Sequence, residues 1–288
     1  MERIIISGAG SYIGKCIMEW FAKKNSSCLI KEMDVQTNSW RDLSFSEIDT
    51  IIHVAGIVHI KEKKDMWPLY HSVNCDLTYE IAQKAKKEGV KHFIFMSTKA
   101  VYVPNTPYIC KDTPADPQKM YGKSKLEAEK KLQTLVDESF KISIVRAPTV
   151  YGEGCRGNFP RLVEMSKRIH VFPRLANKRS MIYIWNLCEF LYRIVFYPIP
   201  DIILFPQDKE YGGTLKMMEG LWHARGEKYY LSVLMALVVR IILPIKVKSS
   251  LHTMFMDSVY DYDMSNYYDY EYCVYSFGEA MKKVIQKG

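Results

Sequence analysis

A chain of 288 residues, 48% hydrophobic and 25% charged, is long enough to bury a substantial core as one large domain or two unequal ones; its composition excludes collagen-like, low-complexity and disordered classes. The net charge of +8 is moderate, with lysine clusters at Lys61 to Lys64, Lys84 to Lys91 and Lys123 to Lys131; these read as solvated helix faces first and as attraction for an anionic small molecule second, with no nucleic-acid partner expected. Seven scattered cysteines without a C-x-x-C pair fit reduced thiols of a cytoplasmic protein, rather than a disulfide framework or a zinc site.

The β-branched run Arg3 to Ser7 predicts a strand at the outset, which leaves no room for a signal peptide. It ends in Gly8-Ala9-Gly10-Ser11-Tyr12-Ile13-Gly14, and a helix pattern follows with Ile17, Met18, Trp20 and Phe21 for its inner side. Cys28 to Val35 reads as the second strand. Thr50 to Ala55 is a continuous apolar run, hence a strand buried on both faces. Tyr70 to Glu88 reads as a helix closed by Gly89, His92 to Ser97 as a strand, Lys119 to Val136 as a long helix and Lys141 to Arg146 as a strand. Beyond about residue 150 the pattern loosens, with Met181 to Phe196 a strand passing into a helix.

Strands alternating with helices predict an α/β protein, a Rossmann-type doubly wound parallel sheet. Residues 1–153, with a returning strand and helix near 180–197, form this dinucleotide-binding part. Residues 154–288 form a smaller mixed lobe for substrate. Ser232 to Val247 is the one strongly apolar run. It is too short for a span of about 20 residues and is interrupted by Arg240 and Pro244, so no stable membrane insertion is expected. It predicts a buried helix; docking on a membrane surface, helped by Lys246 and Lys248, is the alternative.

Two local patterns carry chemistry. In Tyr121-Gly122-Lys123-Ser124-Lys125, positions four apart share one helix face, so Tyr121 and Lys125 can converge. An ammonium beside a phenol favours the phenolate, lowering a pKa that is otherwise about 10 and making a usable base. The glycine turn, between a strand and a helix, suits a pyrophosphate: Gly8 and Gly14 allow close approach, and the helix N-terminus offers amides and its macrodipole. Ser11 stands where a third glycine is usual. Glu32 and Asp34 both fall near the end of the second strand, where a ribose-binding acid belongs; Asp34, 20 positions past Gly14, is the better placed. Arg41 nearby could instead receive a 2′-phosphate, so NAD is favoured and NADP stays open. His53 and His59 have no acid or cysteine at ligand spacing, and no metal is expected. The tyrosine-rich stretch 261–272 reads as a packed surface loop, or as a platform for ligand stacking.

SGAGSYIG, Asp42-Leu43, IIHVAG, Ser97-Thr98-x-x-Val101-Tyr102, YGKSK and RAPTVYG, in that order, resemble an extended short-chain dehydrogenase/reductase. Within that group they resemble the NAD-dependent nucleotide-sugar epimerase/dehydratase family, in particular its UDP-glucose 4-epimerase-like members in polysaccharide biosynthesis. The resemblance implies Thr98, Tyr121 and Lys125 as the catalytic set. Thr98 would hydrogen-bond the sugar oxygen, Tyr121 would act as base, and Lys125 would support it and hold the nicotinamide ribose. It implies cofactor contacts at Gly8, Ser11, Tyr12, Ile13, Gly14, Asp34, Asp42, Leu43, Ala55, Gly56, Asn74 and Pro148. Asn158 and Arg179 would bind substrate, the arginine through its diphosphate; a surface helix cap and a solvated arginine are the plain alternatives.

The dehydratase branch carries Thr-Asp-Glu where this chain has Thr98-Lys99-Ala100, so the acid and base for eliminating water are missing. Tyr102 is followed by Val103 rather than the family's common glycine. The expectation is therefore a cytoplasmic, homodimeric, NAD-dependent epimerase acting at C4 of a UDP-hexose. A reductase or dehydrogenase of a keto-sugar nucleotide and a non-catalytic dinucleotide sensor are the alternatives.

Overall fold

The computed structural model describes residues 1–24, 28–58, 62–243 and 254–287. His59, Lys61, Lys246, Lys248 and the end of the predicted 232–247 helix lie outside them.

The first of two compact units comprises residues 1–104, 114–148 and 187–206. Its strands are β1 (Glu2–Ser7), β2 (Cys28–Met33), β3 (Thr50–His53), β4 (His92–Thr98), β6 (Lys141–Ala147) and β10 (Ile203–Leu204). They form one sheet in the order β10-β6-β4-β3-β1-β2, every pair parallel. From β1 the chain goes outward to β2, then returns to β3 on the other side. That reversal puts the crevice of a doubly wound sheet at the carboxyl ends of β1 and β3. Ile4, Ile5 and Ile6 are consecutive and all buried, as a strand covered on both faces requires. Phe93, Phe95, Ile142 and Ile144 continue the core from β4 and β6.

The helices of this unit are α1 (Tyr12–Lys23), α2 (Trp67–His71), α3 (Leu77–Lys87), α4 (Met120–Gln133) and α6 (Ile184–Phe196), the last from Leu187 onward. The predicted helix over Tyr70 to Glu88 is α2 and α3 joined by a π turn, Ser72–Asp76. Such turns open the i→i−4 ladder and often mark functional positions. Asn74 lies within this one and is fully buried.

Two buried histidines cross-link the strands of the sheet, and one of them also reaches a helix. Thr78 Oγ1 donates to Asn74 O (2.9 Å) and lies 3.0 Å from His53 Nε2, while Ser7 Oγ lies 2.6 Å from His53 Nδ1. With the Thr78 proton committed to Asn74, Nε2 carries the imidazole hydrogen and Ser7 donates to Nδ1. Burial, with Lys125 adding to it, pushes His53 down to about 3. His92 Nε2 lies 2.8 Å from Ser143 Oγ, and burial, helped by Lys141, again takes it to about 3.

The unfolded chain binds a proton at His53 near pH 6.5 that the fold does not accept until about pH 3. Stability is therefore full above about pH 7 and drains as pH falls through that window, by about 2 kcal/mol at pH 5 from His53 alone. Thermal unfolding from pH 8 to pH 5 should show a declining midpoint, less steep in His53→Asn. A variant with the wild-type slope would remove His53 as the cause.

The second unit comprises residues 105–113, 149–186 and 207–288. Three short parallel pairs replace a sheet: β5 (Tyr108–Ile109) with β12 (Val259–Tyr260), β7 (Thr149–Tyr151) with β9 (Met181–Tyr183), and β8 (Val171–Pro173) with β11 (Tyr230–Ser232). Around them lie α5 (Phe159–Arg168), α7 (Thr214–Arg225), α8 (Val233–Ile242) and a last helix, Phe277–Lys287. Phe172, Trp222, Phe255, Leu215 and Met218 form the core. Tyr272 of the tyrosine-rich stretch is buried, its hydroxyl on Gln207 O (2.7 Å) and Ser265 O (3.0 Å).

The apolar run beginning at Ser232 does not form a buried helix. Of α8 only Ala236 is buried, with Val239 packed beside it on the Trp222 core. Val233, Leu234, Leu237, Val238 and Ile241 are exposed. Apart from Arg240 the helix is apolar, and the unit covers one side of it. No helix among the described residues is long and apolar enough to cross a membrane.

Candidate active site

At the carboxyl end of β1, Ser11 caps α1 by accepting from Gly14 N (3.1 Å). The Ile13 amide in the same first turn has no acceptor within the helix and faces the macrodipole's positive end. Gly8 has φ +96°, and a Cβ there would come within 3.0 Å of Ala55 N, so glycine is required where β1 meets the end of β3. Gly10 (φ +73°) has open space where its Cβ would project. A turn with close backbone approach below, room above and a first-turn amide fits a dinucleotide pyrophosphate.

Asp34, just past β2, turns its carboxylate onto Gln36 N (2.8 Å). The acid that reaches the glycine turn is Glu32, accepting from Gly10 N at 3.4 Å. Asp42 ends a short 3₁₀ turn, Asn38–Arg41, and it and Leu43 are exposed. Arg41 lies over the Trp40 ring at 4.5 Å and is ion-paired with Glu80, which occupies the guanidinium that could otherwise meet a 2′-phosphate.

The opposite side of the crevice carries the catalytic candidates. Thr98 ends β4, where its hydroxyl accepts from Ala100 N (3.1 Å) and caps the turn Lys99–Val101. Thr98 pairs with Ala147 of β6, which sets Pro148 one residue beyond it. Tyr121 sits in the first turn of α4, where the Thr98 hydroxyl near its phenol works against the rise of its pKa. Lys125, one turn on, is buried; its ammonium donates to Met96 O (2.9 Å) and lies 4.4 Å from the Phe95 ring centroid. Thr98 at the end of β4, and Tyr121 and Lys125 on successive turns of α4, all belong to the first unit.

Their electrostatics differ from the sequence expectation. Desolvation of the hydroxyl pushes Tyr121 up to about 12, with Thr98 opposing and Tyr70 adding to the rise. Burial pushes Lys125 down to about 7, with Glu129 opposing. The spacing argument considered charge and omitted desolvation, which is the larger effect here.

Asn74 ties the cofactor side to α4. Its Nδ2 donates to Ile57 O (3.2 Å) and Ser124 Oγ (3.0 Å), and its Oδ1 accepts from Ile57 N (2.7 Å). A Cβ at Gly56 would come within 3.0 Å of Asn74 Oδ1 and 3.2 Å of Lys125 Nζ, so only glycine leaves that floor flat.

Three supporting groups escaped the sequence reading. The Glu62 carboxylate accepts from Met120 N and Tyr121 N (both 3.2 Å), an anion on the N-terminus of the helix that carries the base. Glu129, one turn after Lys125, is fully buried and paired with Arg146 (2.6 Å) and with Ser97. Arg146 Nη1 donates to Tyr102 OH (2.6 Å), so β4, β6 and α4 are clamped behind Thr98. Glu129 stands at helical spacing from Lys125 and was findable; Glu62 and Arg146 lie far away in sequence and carried no signal.

In the second unit, Asn158 is exposed at the N-cap of α5, and its side chain makes no cap hydrogen bond. Arg179 is not a solvated arginine: it is part-buried, Nη1 donates to Met256 O (3.3 Å), and burial lowers its pKa with Asp257 opposing. Among the described residues, donor atoms of His71, Cys75 and Asp76 lie within 4.8 Å of one another. Asp76 is tied to Lys131 (2.8 Å) and burial pushes the Cys75 thiol up to about 11, which suits an ion-pair cluster better than a thiolate site.

The profile of the NAD dependent epimerase/dehydratase family matches residues 4–198. UDP-glucose 4-epimerase of Vibrio cholerae is 33% identical over 197 residues, 65% of this chain and 60% of that protein. N-acetyl-alpha-D-glucosaminyl-diphospho-ditrans,octacis-undecaprenol 4-epimerase of Escherichia coli O157:H7 is 28% identical over 209 residues, 66% of this chain and 62% of that one. The chain thus matches about three fifths of the length of these curated relatives. The crystal structure of UDP-glucuronic acid 4-epimerase from Bacillus cereus in complex with NAD superposes with a TM-score of 0.74 at 17% identity, over 99% of this chain and 96% of that one, a likeness of fold. With the family profile spanning well over half of its length, the chain belongs to the NAD dependent epimerase/dehydratase family, and NAD is its cofactor.

Proposed function

We propose that the protein is an NAD-dependent epimerase of a nucleotide sugar, inverting C4 of a UDP-linked hexose through a transient 4-keto sugar. The observation that carries this is Thr98 on the phenol of Tyr121, with Lys125 one turn away and Lys99 and Ala100 where an eliminating enzyme needs acids.

In this reading Gly8, Ser11, Tyr12, Ile13 and Gly14 hold the cofactor's diphosphate, Asp34 its adenosine ribose, and Asp42 and Leu43 flank the adenine. Ala55, Gly56, Asn74 and Pro148 line the nicotinamide end. NAD, when bound, supplies reversible hydride acceptance and a positive ring that favours the phenolate. Tyr121 takes the proton of the 4-hydroxyl while Thr98 hydrogen-bonds the same oxygen. Asn158 and Arg179 keep the diphosphate of the 4-keto sugar tethered, and turning the sugar over lets C4 regain hydrogen on its other face.

Purified protein should co-purify with NAD and interconvert a UDP-hexose pair (glucose/galactose, their N-acetylamino forms, or the uronic acids) without net cofactor consumption. Stoichiometric NAD(P)H consumption would favour the reductase, and neither NAD nor interconversion would overturn the proposal. Pairing of two copies through α2, α3 and α4 belongs to the same reading, and a single-chain species on sedimentation at micromolar concentration would exclude it.

A second reading keeps the chemistry and changes the carrier. The E. coli O157:H7 relative is named for a sugar on diphospho-undecaprenol, and the exposed apolar face of α8 favours such a lipid carrier here. Adding a polyprenyl-diphosphate hexosamine to the substrate panel separates the two.

A further inference from the structure

Helix α8 presents two different apolar faces. Val239 packs on the Trp222 core and Ala236 beside it is buried, whereas Leu234, Leu237, Val238 and Ile241, at i, i+3, i+4 and i+7, lie on the opposite, exposed face. Leu234 is 73% exposed and Ile241 69%, values that no ordinary core helix shows. The apolar surface continues into the strand pair from which α8 springs, where Tyr230 (70% exposed) pairs with Val171 (47%). A helix with an outward aliphatic stripe is either covered by something or, left in water, a liability.

The surrounding charge identifies the cover. From Lys228 to Met256 the sequence holds no Asp or Glu, and it holds Lys228, Arg240, Lys246 and Lys248. Arg168 and Arg174, at the two ends of the segment leading through β8, are exposed. Glu164, four residues before Arg168, is engaged with Lys167 (2.8 Å), and Glu227, next to Lys228, with Arg225 (2.8 Å) and His170 (3.3 Å). An aliphatic stripe on a segment whose charged residues are all basic complements a bilayer carrying anionic headgroups, the stripe entering the headgroup–acyl boundary and the basic side chains meeting phosphates. Tyr230 at the edge has the amphipathic ring that favours that depth.

A second copy of the chain fits less well. A ten-residue helix about 15 Å long and 10 Å wide falls short of the ~800 Å² each partner contributes to a stable interface.

We infer that the outward face of α8 docks the protein on an anionic lipid surface. This goes beyond the proposed activity and does not depend on which carrier the sugar has. The helix lies in the interface plane, and no segment spans.

The test is flotation of the full chain with vesicles of phosphatidylglycerol and phosphatidylcholine in equal parts, with phosphatidylcholine alone as the comparison. Wild type should float with the anionic vesicles, less so as salt is raised, and weakly or not at all with the neutral ones. The double variant Leu234→Asp/Ile241→Asp should lose roughly tenfold or more of its partitioning. Arg240→Glu, with the stripe intact, should fall between. Unchanged thermal unfolding and NAD content show the variants folded, since these side chains point outward. Wild type that stays unbound at low salt, or a double variant that floats equally well, would overturn the inference. So would a double variant that sediments at half the mass of wild type without vesicles, which would make the face a contact between copies. None of these readouts uses turnover, so a failed epimerase assay leaves them intact.

Discussion

Replacing Tyr121 with Phe is expected to lower kcat for sugar interconversion about 10³-fold while leaving bound NAD in place. The substitution removes one oxygen and keeps the ring, so the packing of α4 against the Lys99–Val101 turn is retained. What disappears is the acceptor of the substrate proton and the partner of Thr98. A 10³-fold fall corresponds to about 4 kcal/mol of transition-state stabilisation, within the range of a positioned acid–base group.

The buried setting makes the prediction more specific. The Tyr121 hydroxyl is driven up to about 12 by desolvation, and the Lys125 ammonium down to about 7. The phenol is held in its neutral form while the lysine stays partly charged near neutral pH, and the phenolate becomes accessible only when positive charge is close by. Lys125→Met should therefore cost both kcat and NAD retention, whereas Tyr121→Phe costs kcat alone. Interconversion that persists in Tyr121→Phe within tenfold of wild type would remove Tyr121 as the base and with it the proposed mechanism. Loss of NAD in the same variant would mean that the tyrosine holds the cofactor instead.

The parts of this site that could be read from sequence are those fixed by local geometry. A four-residue helical spacing put Tyr121 and Lys125 one turn apart on the same helix, and the glycine turn announced itself by lying between a β-branched strand and a helix. The parallel sheet followed from continuous apolar runs such as Ile4 to Ile6 and Phe93 to Met96. What was not legible depends on where distant segments meet. Glu62 reaches the amide of Tyr121 across 59 positions, and Ser7, His53 and Thr78 join only because β1 pairs with β3 beneath α3. The sign of the Tyr121 shift was misjudged because a spacing shows neighbouring charge but not the loss of water. The apolar run of α8 reads the same whether one face or both are covered, so its exposure had no signature in the chain.

Gly122→Ala is expected to destabilise the fold by about 3 kcal/mol and to depress turnover together with it. In most helix interiors the exchange runs the other way, alanine being favoured by about 1 kcal/mol. Here a Cβ would lie 2.1 Å from Ala100 O, 2.9 Å from Ala100 C and 2.9 Å from Pro117 Cβ. The first two are backbone atoms in the turn that Thr98 caps, and no rotamer change relieves such a contact, so α4 or that turn must shift. Tyr121 stands on one side of the contact and Thr98 on the other, and a displacement of about 1 Å between them can cost on the order of 10²-fold in rate. Gly122 is thus what lets the helix bearing the base approach the strand end bearing the hydroxyl. Gly278 supplies the control: it lies in the last helix with nothing within 4 Å of its Cβ position, and Gly278→Ala should raise the melting temperature slightly. If Gly122→Ala behaved like Gly278→Ala, stabilising the protein with full activity, the close approach of α4 to the Thr98 turn would be disproved.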